Sequence, residues 1–207
     1  MTRFLGVLPL VPVLLLLSGC SEPQRPAEAP TAEAAPAEPV SAQSAFHKMF
    51  ISARSWASDA QPLRIAQIDV DEVKVEGGKA AAWEAVFVSQ GQRLARRYIY
   101  SVVHRPVRNL RGGVTADPQE QWSGGSGPTP FLMLAFKTDS TAAYKVAMEK
   151  GAAYAKKHPD QEVKFLLEKT NRFPNPAWRV FWGESVSTSP YSIFVDASTG
   201  QYLATGR

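Results

Sequence analysis

The chain has a single cysteine, Cys20. Its reactive thiol and its position in the chain make it the strongest candidate for a residue with a chemical role. Residues 1–19 before it have the layout of an export signal, with Arg3 giving a positive start and residues 5–17 forming a mostly apolar run. This run is shorter than the roughly 20 residues that a membrane-spanning helix needs. Two small residues, Ser18 and Gly19, then precede the expected cleavage site. A cut site does not require a cysteine, so the thiol needs a separate chemical explanation.

Leu17-Ser18-Gly19-Cys20 resembles the lipobox of bacterial lipoproteins. The resemblance implies that residues 1–19 are a signal peptide removed before Cys20. It also implies a thioether-linked diacylglycerol on the Cys20 sulfur and an acyl chain, such as palmitate, on the new N-terminus. Ser21, standing where an aspartate would retain the protein in the inner membrane, implies the outer membrane facing the periplasm. The alternative is a plain signal peptide or short membrane anchor with an incidental cysteine.

Other candidates for catalysis or metal binding are sparse. The histidines are far apart, and none has a second ligand at helical or hairpin spacing. Asp69 and Asp71 would share one strand face, where they could bind a cation or act as acid and base, or simply form a solvated edge. We therefore expect no cofactor, no metal and no enzymatic activity. A hydrolase with a site outside the known motifs is the alternative. The three histidines are His47, His104 and His158.

Six arginines lie between residues 93 and 111 with no acidic residue among them. Guanidinium groups suit carboxylates and phosphates, so this stretch predicts contact with an acidic partner, a lipid headgroup or a glycan. An exported protein rarely meets nucleic acid, which we therefore do not expect as a partner. Strand alternation places Arg96 on the core side, near the start of a strand. The alternative is a solvated face. The expected partner-binding residues are Arg93, Arg97, Arg105, Arg108 and Arg111.

The charge is uneven along the chain. Residues 21–43 are Pro-, Ala- and Glu-rich with a net charge of −3, and they contain too few large apolar residues to fold. Together with Cys20 they predict a lipidated linker over residues 20–43. Removing this −3 and the +1 of Arg3 from the total of +4 leaves +6 for residues 44–207. A mildly basic domain either meets acidic envelope partners or uses the charge only for solubility.

Residues 44–207 predict one α+β domain with its own core. Helical spacing and caps indicate two helices, the first capped by Ser41 or Ser44 and the second by Asp139 or Ser140. Alternating apolar residues indicate the strands, and residues 104–128 read as a long loop. The predicted helices are 45–58 and 141–158, and the predicted strands are 63–76, 81–88, 93–103, 129–136, 161–167, 177–182, 191–195 and 201–204.

The two halves of this domain look alike, each running from a helix into strands. Trp83 follows Ala82 as Trp178 follows Ala177, and the same offset of 95 residues carries Ser44 to Asp139. We therefore predict two helix-on-antiparallel-sheet repeats, about 44–103 and 139–207, with both tryptophans buried at matching positions. Tyr98 and Tyr191 would open the closing strands of the two repeats. The alternative is two unrelated helix-plus-hairpin units.

The second half resembles a PepSY-type domain. Residues 176–180 and 191–200 carry the likeness, which is strongest in a strand ending in Val195-Asp196-Ala197-Ser198-Thr199-Gly200. Asp196 and Thr199 can bond turn backbone and Gly200 supplies a positive φ, so this motif is structural. The first half follows the pattern but has His104-Arg105-Pro106 in place of the motif.

The PepSY family implies a small α+β unit, common in exported and membrane-anchored proteins. In some protease propeptides the unit is thought to restrain the protease. The expected function is thus a membrane-anchored envelope lipoprotein with a non-catalytic binding module. This module binds a peptidase, which it can also restrain, or it binds another envelope protein. The alternative is a structural lipoprotein of envelope assembly that contacts acidic glycan or lipid.

Overall fold

The computed structural model describes residues 38–70, 73, 76–105, 110–125 and 127–206. Cys20, the predicted signal peptide, residues 20–37 of the predicted linker, Asp71 and Arg108 lie outside these ranges. The described residues form an α+β fold, as expected. None of the helices in these ranges is both long enough and apolar enough to cross a membrane.

After the short strand β1, helices and strands follow one another along the chain in two groups, each led by a helix. The helices are α1 (Ala42–Trp56), α2 (Ser140–Lys150) and α3 (Ala152–Lys157). The strands are β1 (Val40–Ser41), β2 (Gln61–Ile68), β3 (Lys79–Ala80), β4 (Ala82–Ser89), β5 (Leu94–Ser101), β6 (Gly113–Ala116), β7 (Glu120–Gln121), β8 (Val163–Glu168), β9 (Ala177–Trp182), β10 (Tyr191–Asp196) and β11 (Tyr202–Gly206).

Nine strands form one antiparallel sheet in the order β11-β10-β9-β8-β2-β4-β5-β6, with β7 beside β5. Strands β2, β4, β5 and β6 follow α1, and strands β8 to β11 follow α2 and α3. The two groups join through their first strands, β2 and β8, over three residue pairs centred on Ile65 and Leu167. Buried residues of α1 and α2 pack on one face of this sheet, so the helices cover that face.

Helix α1 begins three residues earlier than predicted. Ser41 is its N-cap and accepts a hydrogen bond from Ser44 N, so of the two predicted caps the first is used. Val40–Ser41 also pairs with Lys79–Ala80, which places the end of the predicted linker inside the fold. Asp139 caps α2, so its counterpart is Ser41. The expected correspondence between Ser44 and Asp139 is wrong.

The second predicted helix is interrupted at Gly151, between α2 and α3. A Cβ atom at this position would lie 2.9 Å from Cη2 of Trp182 and 2.8 Å from the carbonyl oxygen of Ala147. Only glycine allows the helix backbone to approach the Trp182 ring this closely. Packing a large aromatic side chain beneath this point therefore requires a glycine where α2 ends and α3 begins.

The predicted strand over residues 129–136 is wrong. The segment contains a 3-10 turn, Met133–Ala135, and its backbone bonds to Pro62 through the amide of Phe131. Phe131 and Phe136 are buried, whereas Leu132 and Leu134 are 62% and 74% exposed. The two buried phenylalanines, five residues apart, hold the segment against the core. The other apolar residues of the run therefore need not follow the alternating burial of a strand. The predicted loop over 104–128 contains two strands, β6 and β7.

Trp83 and Trp178 are fully buried, as predicted, and lie at the second position of β4 and β9. The Trp83 indole N–H donates to the carbonyl oxygen of Val40 at 2.9 Å, and that of Trp178 donates to Thr138 at 2.8 Å. Each acceptor directly precedes the N-cap of a helix. Their ring centroids are 6.4 Å apart in an edge-to-face arrangement. The two indoles therefore fix both helix starts to the centre of the sheet.

Asp196 organises the turn between β10 and β11, as the motif predicts. Its Oδ1 accepts hydrogen bonds from the amides of Ser198 (2.7 Å) and Thr199 (2.9 Å), and its Oδ2 accepts one from Nδ2 of Asn175 (3.0 Å). Gly200 follows with a φ of 76°. The motif thus closes a tight connection in which one buried carboxylate satisfies three donors.

The Asp196 carboxylate makes stability depend on acid. Burial acts to raise its pKa, but the hydrogen bonds from Asn175, Ser198 and Thr199 outweigh burial and hold the pKa below its ordinary value of 3.8. The stabilisation is therefore present above that value and is lost as the pH falls towards the folded-state pKa. We expect Asp196→Ala to lower the free energy of unfolding by about 1–3 kcal/mol at pH 7.

Urea unfolding between pH 7 and pH 3 measures this effect. Asp196→Asn should lose less stability on acidification than the wild-type chain, because it has no carboxylate to protonate at this turn. Asp160→Asn, which changes an exposed carboxylate, serves as the matched control. An acid dependence in Asp196→Asn equal to that of the wild type would refute this account.

Candidate functional site

The sheet face opposite the helices is covered unevenly. In the first half, the long connection between β5 and β6 lays Val103 and Leu110 against Ala82 and Ile99. In the second half, the corresponding connection between β10 and β11 is the tight turn at Asp196, which is too short to cross the sheet. A groove of about 520 Å³ opens here, over β8 and β9 of the second half and the adjoining β2 of the first.

The groove has an apolar floor and a charged rim. Ala66, Leu166 and Phe181 come from three adjacent strands and pack together, and Val186 from the segment after β9 adds a wall. Strand alternation places cationic side chains on the same face as this floor, because Leu166 pairs with Arg179 and Phe181 pairs with Lys164. The cations that line the groove are Arg64, Lys164 and Arg179.

Lys164 is a buried and fully engaged cation. Its Nζ lies 2.5 Å from Asp69 and 3.3 Å from Glu162, and it donates to the Glu184 carbonyl oxygen at 3.2 Å. Burial acts to lower its pKa, but the two carboxylates outweigh burial and raise it. Lys164 also borders a second cleft, of about 840 Å³, beside α2 and α3. Lys164 therefore separates the groove from the second cleft, and its charge is already neutralised by the two carboxylates.

Arg64 and Arg179 flank Glu168 on the open face. Glu168 lies directly opposite Arg64 in the pairing of β2 with β8. Burial raises the pKa of Glu168, and both arginines act against this rise. Arg64 also reaches Glu84 at 3.7 Å, and Arg179 donates through Nε to Oγ of Ser192 at 2.9 Å. This part of the groove thus holds two cations around one half-buried carboxyl group.

A second pair of arginines meets on one phenyl ring. The guanidinium carbon of Arg172 lies 4.2 Å from the centroid of Phe194, and that of Arg179 lies 5.7 Å from it. Burial lowers the pKa of Arg179; Glu168 opposes this and Arg172 adds to it. Within the described ranges, neither Arg172 nor Arg179 forms an ion pair. The two positive charges are therefore close to each other without a bound carboxylate.

The arginines of the predicted surface lie within β5 and beyond both of its ends. Arg97 lies mid-strand and pairs with Asp117 at 2.6 Å and Glu84 at 3.3 Å. Arg96 lies on the helix side with its guanidinium over Tyr98, as strand parity predicts. Arg93 precedes the strand, in a turn with a φ of 57°.

Arg105 and Arg111 are exposed beyond the other end of β5. Eight residues of strand separate the two ends, which is about 26 Å at ~3.3 Å per residue. Arg108 lies outside the described residues. The proposed contact of these arginines with a partner therefore stays a prediction, and Arg97 would have to exchange two carboxylates to take part.

The structure separates most of the other predicted candidates that it describes. Asp69 lines the groove and pairs with Lys164, while Asp71 falls in an undescribed gap. His158 stacks on Tyr154 beside α3, and His47 and His104 are exposed. Among the residues that the structure describes, no three histidine, cysteine, aspartate or glutamate side chains are grouped as metal ligands.

Sequence reasoning missed the groove. Its floor and cations come from β2 and from β8 and β9, which follow about 100 residues later in the chain. The register of the central pair, β2 with β8, is not readable from sequence. One signal was available: the connection after the strand ending at Asp196 is short, whereas the connection after Ser101 is long. This difference alone indicates that only one half of the sheet face is covered.

Comparison with known proteins supports the fold. No protein-family model matches the chain, and no curated protein matches it significantly. The crystal structure of a "putative lipoprotein" from Clostridium difficile 630 resembles it with a TM-score of 0.50 and 12% sequence identity. The match covers 78% of this chain and 91% of the other. At this identity the likeness concerns the fold alone, and it establishes that a solved structure shares this α+β arrangement.

Proposed function

We propose that the chain is a lipid-anchored lipoprotein of the cell envelope whose α+β domain is a non-catalytic binding module. The observation that carries the proposal is Cys20, placed at the end of a short apolar segment in a sequence that resembles a lipobox. The fold shared with a protein described as a lipoprotein is in keeping with it. The partner is another envelope protein, with a peptidase as the first candidate. Ser21, following the cysteine in place of an aspartate, favours the outer membrane, with the domain facing the periplasm.

The domain itself is proposed to consist of two PepSY-like repeats. Each half runs from a helix into four antiparallel strands, and each buried tryptophan bonds the carbonyl group before its own helix cap. The Asp196 turn belongs to the second repeat and the long covering connection to the first. These shared features support an internal duplication followed by divergence of the connections.

Changing Cys20 tests the anchor. We expect Cys20→Ala to move the protein from the membrane fraction to the soluble fraction, because two or more acyl chains hold a protein firmly and none remains. Ser21→Asp is the matched control, since it keeps the cysteine and should change only which membrane carries the protein. Membrane fractionation with immunoblotting measures both. A Cys20→Ala chain that stays wholly in the membrane fraction would contradict the proposal.

Binding is tested separately from anchoring. The full chain, immobilised in detergent, is incubated with envelope extract, and captured proteins are identified and assayed for peptidase activity with and without the chain. Capture of a defined envelope peptidase, with its activity reduced, supports the proposal. Capture of a glycan polymer or turnover of a substrate by the chain itself would contradict it.

A further inference from the structure

The open half of the sheet offers a surface suited to one kind of partner chemistry. Its apolar floor is small and recessed, with Ala66, Leu166 and Phe181 only 4–6% exposed, and Val186 forms a wall above it. A surface of this size accommodates one or two apolar side chains rather than a pair of acyl chains. The long connection that covers the first half is absent from the second, so nothing in the described chain fills this position.

Charge complements this floor. Arg172 and Arg179 both lie over Phe194, each without an ion-pair partner among the described residues. Arginine forks bind carboxylates in two-point geometry, and such bonds are stronger where water is partly excluded. A carboxylate placed here would relieve the repulsion between the two guanidinium groups. Glu168 does not fill this role fully, because it is shared between Arg179 and Arg64, the residue directly opposite it on β2.

We propose that this groove, together with the arginine pair over Phe194 at its edge, binds an acidic segment of a partner protein. One carboxylate of the segment is held by Arg172 and Arg179, and a neighbouring large apolar side chain packs on Leu166 and Phe181. This inference rests on the proposed function, since it names the chemistry by which the module recognises its partner. A free phosphate would satisfy the arginines without using the floor, so a peptide of mixed acidic and apolar character fits the surface better.

Peptide binding to the full chain in detergent tests the inference. The probe is a fluorescent hexapeptide of alternating glutamate and leucine, and the comparison probe replaces each glutamate with glutamine. We expect the acidic probe to bind about tenfold more tightly, in line with the strength of hydrogen bonds to charged groups. Its binding should weaken as ionic strength rises towards 1 M, where charges are screened beyond about 3 Å.

Variants locate the binding. Arg172→Gln combined with Arg179→Gln should lower the affinity about tenfold, whereas Arg54→Gln combined with Lys156→Gln removes the same charge from the helix side and should leave it within about twofold. Val186→Asp tests the groove without touching either arginine and should also weaken binding, while Val186→Lys should not. Thermal unfolding of each variant confirms that it folds.

Four outcomes would overturn the inference. Equal affinity for the two probes, or equal losses of affinity in the two double variants, would mean that the arginine pair does not recognise the carboxylate. Binding of anionic phospholipid vesicles or inorganic phosphate in place of the peptide would assign the arginines to another ligand. If the immobilised Arg172/Arg179 variant still captures its envelope partner, the groove is not the interface, although the proposed function stands. If the wild-type chain captures no envelope protein, the proposed function itself is contradicted.

Discussion

Replacing Trp178 by alanine is expected to lower the free energy of unfolding by about 3–5 kcal/mol, a large part of the stability of a typical domain. Its indole is fully buried and contacts the rings of Trp83, Phe136 and Phe165. The substitution opens a cavity at the centre of the core and also leaves the Thr138 carbonyl oxygen without its donor. Urea unfolding followed by circular dichroism measures the loss.

Trp122→Ala is the matched control, because Trp122 is half-buried and lies outside the core clusters. Its loss should be well below that of Trp178. Trp83→Ala should cost as much as Trp178→Ala, and the double variant should deviate from additivity because the two rings are in contact. A Trp178→Ala chain that loses no more stability than Trp122→Ala would contradict the central place given to this residue.

Gly78→Ala is expected to cost about 2–5 kcal/mol, from the left-handed backbone conformation and from overpacking together. Gly78 has a φ of 84°, and a Cβ atom there would lie 2.5 Å from the carbonyl oxygen of Ser140 and 2.9 Å from the Cα atom of Thr141. Both contacts are with backbone at the start of α2, which cannot move aside as a side chain can. Gly78 must therefore stay a glycine for two independent reasons.

Gly77 provides an unusually close control for this substitution. It also has a positive φ, 58°, but a Cβ atom there would meet nothing within 4 Å. Gly77→Ala should thus cost only the conformational part, about 1–2 kcal/mol. Thermal or urea unfolding of the two variants separates strain from steric overlap. Equal losses in both would mean that the approach of Gly78 to α2 is not a source of stability.

The local patterns of the sequence predicted much of the fold. Ser41 and Asp139 were recognised as possible caps because their side chains can accept from the first helical amides. The positions of Tyr98 and Tyr100 on the core side of β5 followed from alternation alone. Such features depend on neighbours within a few residues along the chain, and sequence records those neighbours directly.

The features that failed depend on distant partners. The apolar run around Phe131 suggested a strand, but two aromatic anchors and a bond to Pro62 hold it as a turn. Residue 151, where the predicted helix is interrupted, must be a glycine because Trp182, 31 positions along the chain, lies beneath it. The groove likewise requires the pairing of β2 with β8, which joins segments about 100 residues apart. No local pattern encodes that pairing.

The attachment of the first described residues to the core has a mechanical consequence. A pull applied through residue 38 enters the domain at Val40, whose carbonyl oxygen is bonded to the indole of Trp83 in the middle of the sheet. The next two amides, of Ala42 and Gln43, bond Ser140 and Asp139 at the start of α2. Tension applied at residue 38 is thus shared by both halves at once, instead of separating the sheet strand by strand from one edge.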